Sequence, residues 1–181
     1  MADTARSFIA LPLAGPAAAA LLAGARAALA GQACERLRFY RADSLHLTLL
    51  FLDDVAVDRL PLLAAALDTR LAGLPAVEVA VSALQAFPAS PGRIVAATLP
   101  PCPALLALQQ AVKAAVVDCG LPLAGQPFRP HVTLARLRPA LSLQWSLPAT
   151  RLRFDRVGLY TSRLQPDGAV HHCEAQIRLA G

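Results

Sequence analysis

Apolar residues recur along this chain in two rhythms, every second position or every third to fourth, and the switches between them predict its elements. Residues 7–13 form a buried strand. Pro16 suits the first turn of a helix whose stripe of Leu21, Leu22, Ala25 and Leu29 closes at Gly31. Strands follow at residues 35–40 and 45–52. Asp58 is placed to cap a second helix, striped by Leu60, Leu63, Leu67 and Leu71 and closed by Gly73. Val77, Val79 and Val81 alternate as a strand, and a turn at 88–92 leads into another at 93–99. A third helix carries Leu105, Leu108, Val112 and Val116 and ends near Cys119-Gly120. A loop at 125–130 delivers a strand over 130–138, and two late strands at 152–161 and 169–179 are joined by a turn at 165–168. Residues 139–149 give no clear signal.

Within this pattern one tetrapeptide occurs twice. His46-Leu47-Thr48-Leu49 and His131-Val132-Thr133-Leu134 lie 85 positions apart and hold half of the four histidines. The strand at Phe8 has a counterpart at Ile94, offset by 86, and the helix at Pro16 one at Pro103, offset by 87. Each half therefore runs strand, helix, loop, His-x-Thr strand, the trace an internal duplication leaves. The 181 residues are expected to form a single domain of two pseudo-symmetric halves, about 1–90 and 91–181, that share one cleft.

Alternation on a strand puts His46 with Thr48, and His131 with Thr133, on one face, while Leu45, Leu47 and Leu49 point into a core. Two such strands side by side offer two imidazoles and two hydroxyls. An imidazole takes or gives a proton near neutral pH, and one on each side of a phosphorus suits in-line displacement. A threonine hydroxyl on a stiff β-branched side chain can donate to a non-bridging oxygen as charge builds there. No carboxylate accompanies either motif and no third residue has zinc-ligand spacing, so the pattern points to acid–base chemistry without a metal or cofactor. The competing readings are ordinary strand residues and a non-catalytic RNA- or nucleotide-binding module using the same cleft.

Composition narrows this little. A net charge of +5, with most of the 17 basic residues Arg, favours anionic ligands. Arg129, Arg136, Arg138 and Arg93 are candidate phosphate contacts, each with surface solubility as the competing reading. Parity puts Arg129 on the face of His131 and turns Arg136 away unless a bulge intervenes. Phe8, Phe87, Phe128 and Tyr160 can stack a base or simply fill the core. His171 and His172 are neighbours on a strand and face opposite ways, so they are expected to stand apart from the site. Cys34, Cys102, Cys119 and Cys173 have no matched spacing and are expected to be reduced and mostly buried. The uncharged stretch 8–25 is interrupted by Gly15-Pro16 and dominated by Ala; it is read as a strand and a helix of a cytoplasmic protein, not a membrane segment.

The motifs and their flanks resemble the 2H phosphoesterase superfamily, and within it the RNA 2′,3′-cyclic phosphodiesterases long called 2′-5′ RNA ligases. The similar stretches are Arg6-Ser7-Phe8-Ile9-Ala10-Leu11-Pro12, Asp43-Ser44-Leu45-His46-Leu47-Thr48-Leu49-Leu50-Phe51-Leu52, Phe128-Arg129-Pro130-His131-Val132-Thr133-Leu134-Ala135-Arg136 and Leu159-Tyr160-Thr161-Ser162. The resemblance implies an α+β fold of two lobes, each an antiparallel sheet with outer helices, around a central cleft lined by the motif strands. It implies hydrolysis of RNA 2′,3′-cyclic phosphate ends to 2′-phosphates without metal, with His46 and His131 as acid and base and Thr48 and Thr133 holding the phosphate. Arg136 matches the family position after the second motif, against its parity. The expected ligands are RNA ends or small 2′,3′-cyclic nucleotides, with 2′-5′ ligation as the reverse reaction, in a monomeric protein with no membrane association.

Overall fold

A computed structural model describes residues 3–13, 15–31, 36–123, 125–142, 144–145, 150–165 and 168–181. Its elements are β1 (Thr4–Pro12), α1 (Gly15–Leu29), β2 (Arg36–Phe39), β3 (His46–Ala56), α2 (Leu60–Leu71), β4 (Val77–Ala80), β5 (Ala83–Phe87), β6 (Gly92–Thr98), α3 (Pro103–Asp118), β7 (His131–Leu141), β8 (Gln144–Trp145), β9 (Arg151–Phe154), β10 (Arg156–Gln165) and β11 (Gly168–Arg178). It is an α+β fold. Among the described residues one antiparallel sheet runs β11-β10-β1-β3-β7-β6-β5-β8, with β2 also paired to β7, and β4 and β9 form a separate ribbon.

The two motif strands lie at the middle of that order, joined where Leu47 pairs with Val132. Outward from the join, β3 is flanked by β1 and β10, and β7 by β6 and β5. The registers repeat as well. Leu11 pairs with Leu47 and Ala97 with Val132; Ala10 pairs with Thr48 and Ala96 with Thr133. Both ladders then slip by one residue at the same place, between Ile9 and Ala10 on one side and between Val95 and Ala96 on the other. The residues in excess are Leu49 and Leu134, so each His-x-Thr is followed by a bulge that buries two successive side chains.

The sheet halves are not the two halves of the sequence. β5 and β2 come from the N-terminal half but pair with β6 and β7, while β10 and β11 from the C-terminal half extend β1. The helices pack on the side that Leu47 and Val132 face. Leu21 and Leu22 of α1, Leu63 and Leu67 of α2 and Leu105 and Leu108 of α3 join them, with Ile9 and Leu11, in one buried cluster. Burying each such side chain is worth about 1.5–3 kcal/mol. The opposite face carries the motif residues.

Local departures from the sequence pattern have identifiable causes. Asp58 does not cap α2: it sits in a short 3-10 turn, Val57–Arg59, Arg59 occupies the cap, and no side chain caps it. Pro61 supplies the fixed φ of the first turn instead. The strand expected over 152–161 is two strands. Leu152 and Phe154 are buried at even positions and Val157 and Leu159 at odd ones, and the slip at Asp155 sends β9 to β4 and β10 to β1. β5 was not expected because Ala83-Leu84-Gln85-Ala86-Phe87 carries little contrast, although Leu84 and Ala86 are buried. Of the cysteines, Cys119 is buried, Cys102 half-buried and Cys173 exposed, which corrects the expectation that they are mostly buried; Cys34, like Glu35 of the predicted strand and Pro166 and Asp167 of the predicted turn, lies outside the described residues. Among the described residues, no helix is long and apolar enough to cross a membrane.

Candidate active site

The two histidines are held in the same way. Nδ1 of His46 lies 2.8 Å from the carbonyl oxygen of Ser44, and Nδ1 of His131 lies 2.7 Å from that of Arg129. In both cases the acceptor is two residues back along the chain. A carbonyl can only accept, so each Nδ1 carries the proton and each Nε2 is left as the nitrogen that exchanges one. The antiparallel register about Leu47 and Val132 brings Thr48 beside His131 and Thr133 beside His46. All four motif residues are half-buried, while Leu45, Leu47, Leu49, Val132 and Leu134 are buried behind them.

Burial is the main reason that both histidines titrate below the usual 6.5 of an imidazole. His46 is pushed further by the charges of His171 and His131, and the Ser44 carbonyl pulls the other way. For His131 the Arg129 carbonyl raises the value and the Arg129 guanidinium lowers it. Both rings are therefore neutral at pH 7. An anion bound between them favours the charged form and supplies the reason for one to hold a second proton.

Aromatic rings support each histidine. Phe8 is buried under His46 at 5.2 Å between centroids, stacks on Tyr160 at 5.3 Å and meets His171 edge-on at 4.9 Å. His171 in turn meets His46 edge-on at 5.5 Å. On the other side, Phe87 stacks on His131 at 3.9 Å and lies under the Arg129 guanidinium at 4.7 Å. Phe8 is thus a hub that positions His46, with 4% of its own surface exposed. Phe128 and Arg129 line a hollow of about 260 Å³ with Gln85, Phe87 and Thr98, beside the motif pair rather than over it.

The bulge at Leu134 decides Arg136. One extra residue after Thr133 reverses the parity, so Arg136 returns to the face of His131, where its Nε donates to the Tyr40 hydroxyl at 2.7 Å. Phe51 holds the corresponding place in β3, 43% exposed and 6.3 Å from Phe8. Arg93 is exposed at the irregular start of β6, and among the described residues no ring contact, hydrogen bond or ion pair links it to the histidines.

Three residues not singled out for the site by the sequence belong to it. His171 was expected to stand apart; alternation does separate it from His172, but it is the member that turns to His46. The hairpin pairing of Gln165 with Gly168 sets Ser162 opposite His171, and that turn was the available signal. Tyr40 reaches Arg136 only through the β2–β7 pairing. Gly158 makes room for Tyr160: a Cβ there would lie 2.6 Å from the ring's Cζ and hydroxyl oxygen. Gly158→Ala is expected to destabilise the protein by about 1–3 kcal/mol. The shift in urea midpoint measures it, and in a Tyr160→Leu background the cost should largely vanish; an equal cost in both backgrounds would refute the contact as its cause.

One His-x-Thr strand from each half of the sequence thus meets the other at the centre of a bulged antiparallel sheet, with both rings held through Nδ1. The chain belongs to the 2′-5′ RNA ligase superfamily, whose sequence model matches residues 15–166. Among solved structures, TT0787 of Thermus thermophilus is similar at 27% identity over 97% of this chain and 98% of that one, with a TM-score of 0.79. E. coli LigT in its apo form is similar at 21% identity over 99% of each chain, with a TM-score of 0.76. LigT has also been crystallised with 3′-AMP, and that complex matches with a TM-score of 0.73. No curated protein matches the chain in sequence.

Proposed function

We propose that this protein hydrolyses RNA 2′,3′-cyclic phosphate ends to 2′-phosphomonoesters, with His46 and His131 as the acid–base pair and no metal taking part. The observation that carries this reading is the repeated one: two imidazoles on adjoining strands, each with Nδ1 on the carbonyl two residues back and Nε2 left to exchange a proton. Family membership supports phosphoester chemistry, and the 3′-AMP complex of LigT supports a nucleotide ligand. The repeated registers support an origin by internal duplication of halves about 1–90 and 91–181.

In the proposed step, Nε2 of one histidine takes a proton from water as the water oxygen attacks phosphorus. The P–O3′ bond opposite breaks, and the other histidine, protonated at Nε2, delivers its proton to O3′. The product keeps its phosphate on O2′ and gains a 3′ hydroxyl, and both protons are accounted for. Thr48 and Thr133 donate to the non-bridging oxygens as charge gathers there. Run backwards, the step recloses the ring from the 2′-phosphate and the 3′ hydroxyl with loss of water; a 5′ hydroxyl that attacks phosphorus in place of water, with the same P–O3′ bond breaking, gives a 2′-5′ link instead.

Incubation of the purified protein with a 2′,3′-cyclic nucleotide in the presence of EDTA tests this directly. The expected product is the 2′-phosphate, distinguished from the 3′ isomer by phosphorus NMR; binding without turnover would leave only a binding module. The pH dependence is a separate check. kcat/KM requires one ring protonated and one neutral, so it peaks between their pKa values. Both values are lowered by burial, so the maximum is expected on the acid side of 6.5, with activity falling as pH rises and the acid loses its proton. A maximum above pH 7 would contradict the assignment of these two groups.

A further inference from the structure

β2 and β7 pair with Arg38 opposite Arg136 and Arg36 opposite Arg138. Directly opposed residues share a face, as do residues two apart on one strand. The four guanidinium groups therefore rise from one face of the ribbon, and all four residues are exposed. Leu37, Phe39, Ala135 and Leu137 turn to the other face and pack with Leu29 and Val95. Like charges set opposite one another weaken a ribbon, so nothing in the fold calls for two such pairs in succession. Among the described residues no carboxylate forms an ion pair with any of the four; the carboxylates that do pair are with Arg41, Arg70, Arg153 and Arg156. The basic face is also that of the catalytic candidates. Phe87, stacked on His131, is the cross-strand partner of Ile94, and Ile94 is that of Arg136.

We propose that Arg36, Arg38 and Arg138 continue from Arg136 as a phosphate track for the RNA strand attached to the reacting end, so that the substrate is an RNA of several nucleotides rather than a mononucleotide. This rests on the function proposed above. A guanidinium meets phosphate oxygens in pairs of hydrogen bonds and keeps its charge at any working pH. Successive arginines on one strand stand about 6.8 Å apart, so a run of phosphates can be met one after another. A phosphate between opposed arginines also relieves their repulsion. Contacts of this kind hold any sequence, because backbone phosphates carry none.

The test is the triple variant Arg36→Gln, Arg38→Gln, Arg138→Gln with Arg136 left in place. Three readouts are taken: kcat/KM for a 2′,3′-cyclic mononucleotide and for an RNA of about eight nucleotides with the same end, fluorescence anisotropy of the corresponding 2′-phosphate RNA, and co-sedimentation with phosphatidylserine vesicles. The native protein is expected to favour the longer RNA by about tenfold or more at low salt, and the variant to lose that preference while hydrolysing the mononucleotide as before. Each single-strand phosphate contact contributes about 0.7 to the slope of log affinity against log salt, so the variant's slope should fall by about 2. The corresponding Arg→Lys variant should keep most of the slope, which separates lost charge from lost fold. An unchanged length preference or slope overturns the proposal. So does loss of binding to phosphatidylserine vesicles with RNA affinity intact. If neither protein hydrolyses either substrate, the proposed function fails, and the anisotropy still decides the track.

Discussion

Replacing His46 or His131 with Ala is expected to lower hydrolysis of a 2′,3′-cyclic nucleotide by about 10²–10⁴-fold, the usual contribution of one positioned proton-transfer group. The physical reason is specific to Nε2. Each Nδ1 is engaged by a carbonyl, so each ring has one nitrogen left for exchange, and alanine removes it. Both residues are half-buried on the face opposite the packed core, so circular dichroism and the urea midpoint should change little. The two losses should not add. A base without its acid, or the reverse, has already lost the concerted step, so the double variant should sit close to the worse single one. Native-like turnover in either single variant would falsify the two-histidine mechanism, and full loss of folding would be answered by the His→Gln pair.

Thr48→Val and Thr133→Val are expected to lower kcat by roughly 10²–10³-fold, as loss of an oxyanion donor does, with smaller effects on KM. Valine keeps the β-branched shape and removes only the hydroxyl. The strand pairings of Thr48 with Ala10 and Thr133 with Ala96 run through the backbone and survive. A rise in KM with kcat unchanged would show that the hydroxyls bind the ground state, and would remove them from the proposed charge stabilisation.

Much of the fold was legible because burial imposes a period. The four leucines of α2 and the Leu-Val stripe of α3 are buried as the spacing predicts. Alternation likewise put Leu45, Leu47 and Leu49 behind the motif. The misses lie where local pattern and tertiary pairing part company. Asp58 has the right side chain for a cap, but the 3-10 turn leaves Arg59 in that place. The phase slip at Asp155 was present in the sequence, but the two strands it separates differ only in their partners, which no local pattern names.

The sequence by itself determined the paired motif, its 85-residue offset and the face on which each histidine stands, because side-chain direction on a strand depends only on position. Only the tertiary structure decided that β3 and β7 adjoin, that a bulge after each motif returns Arg136 to the face of His131, and that His171 reaches His46. Pairing between distant strands and a one-residue slip in their register are properties of two chain segments together, and neither segment carries them alone.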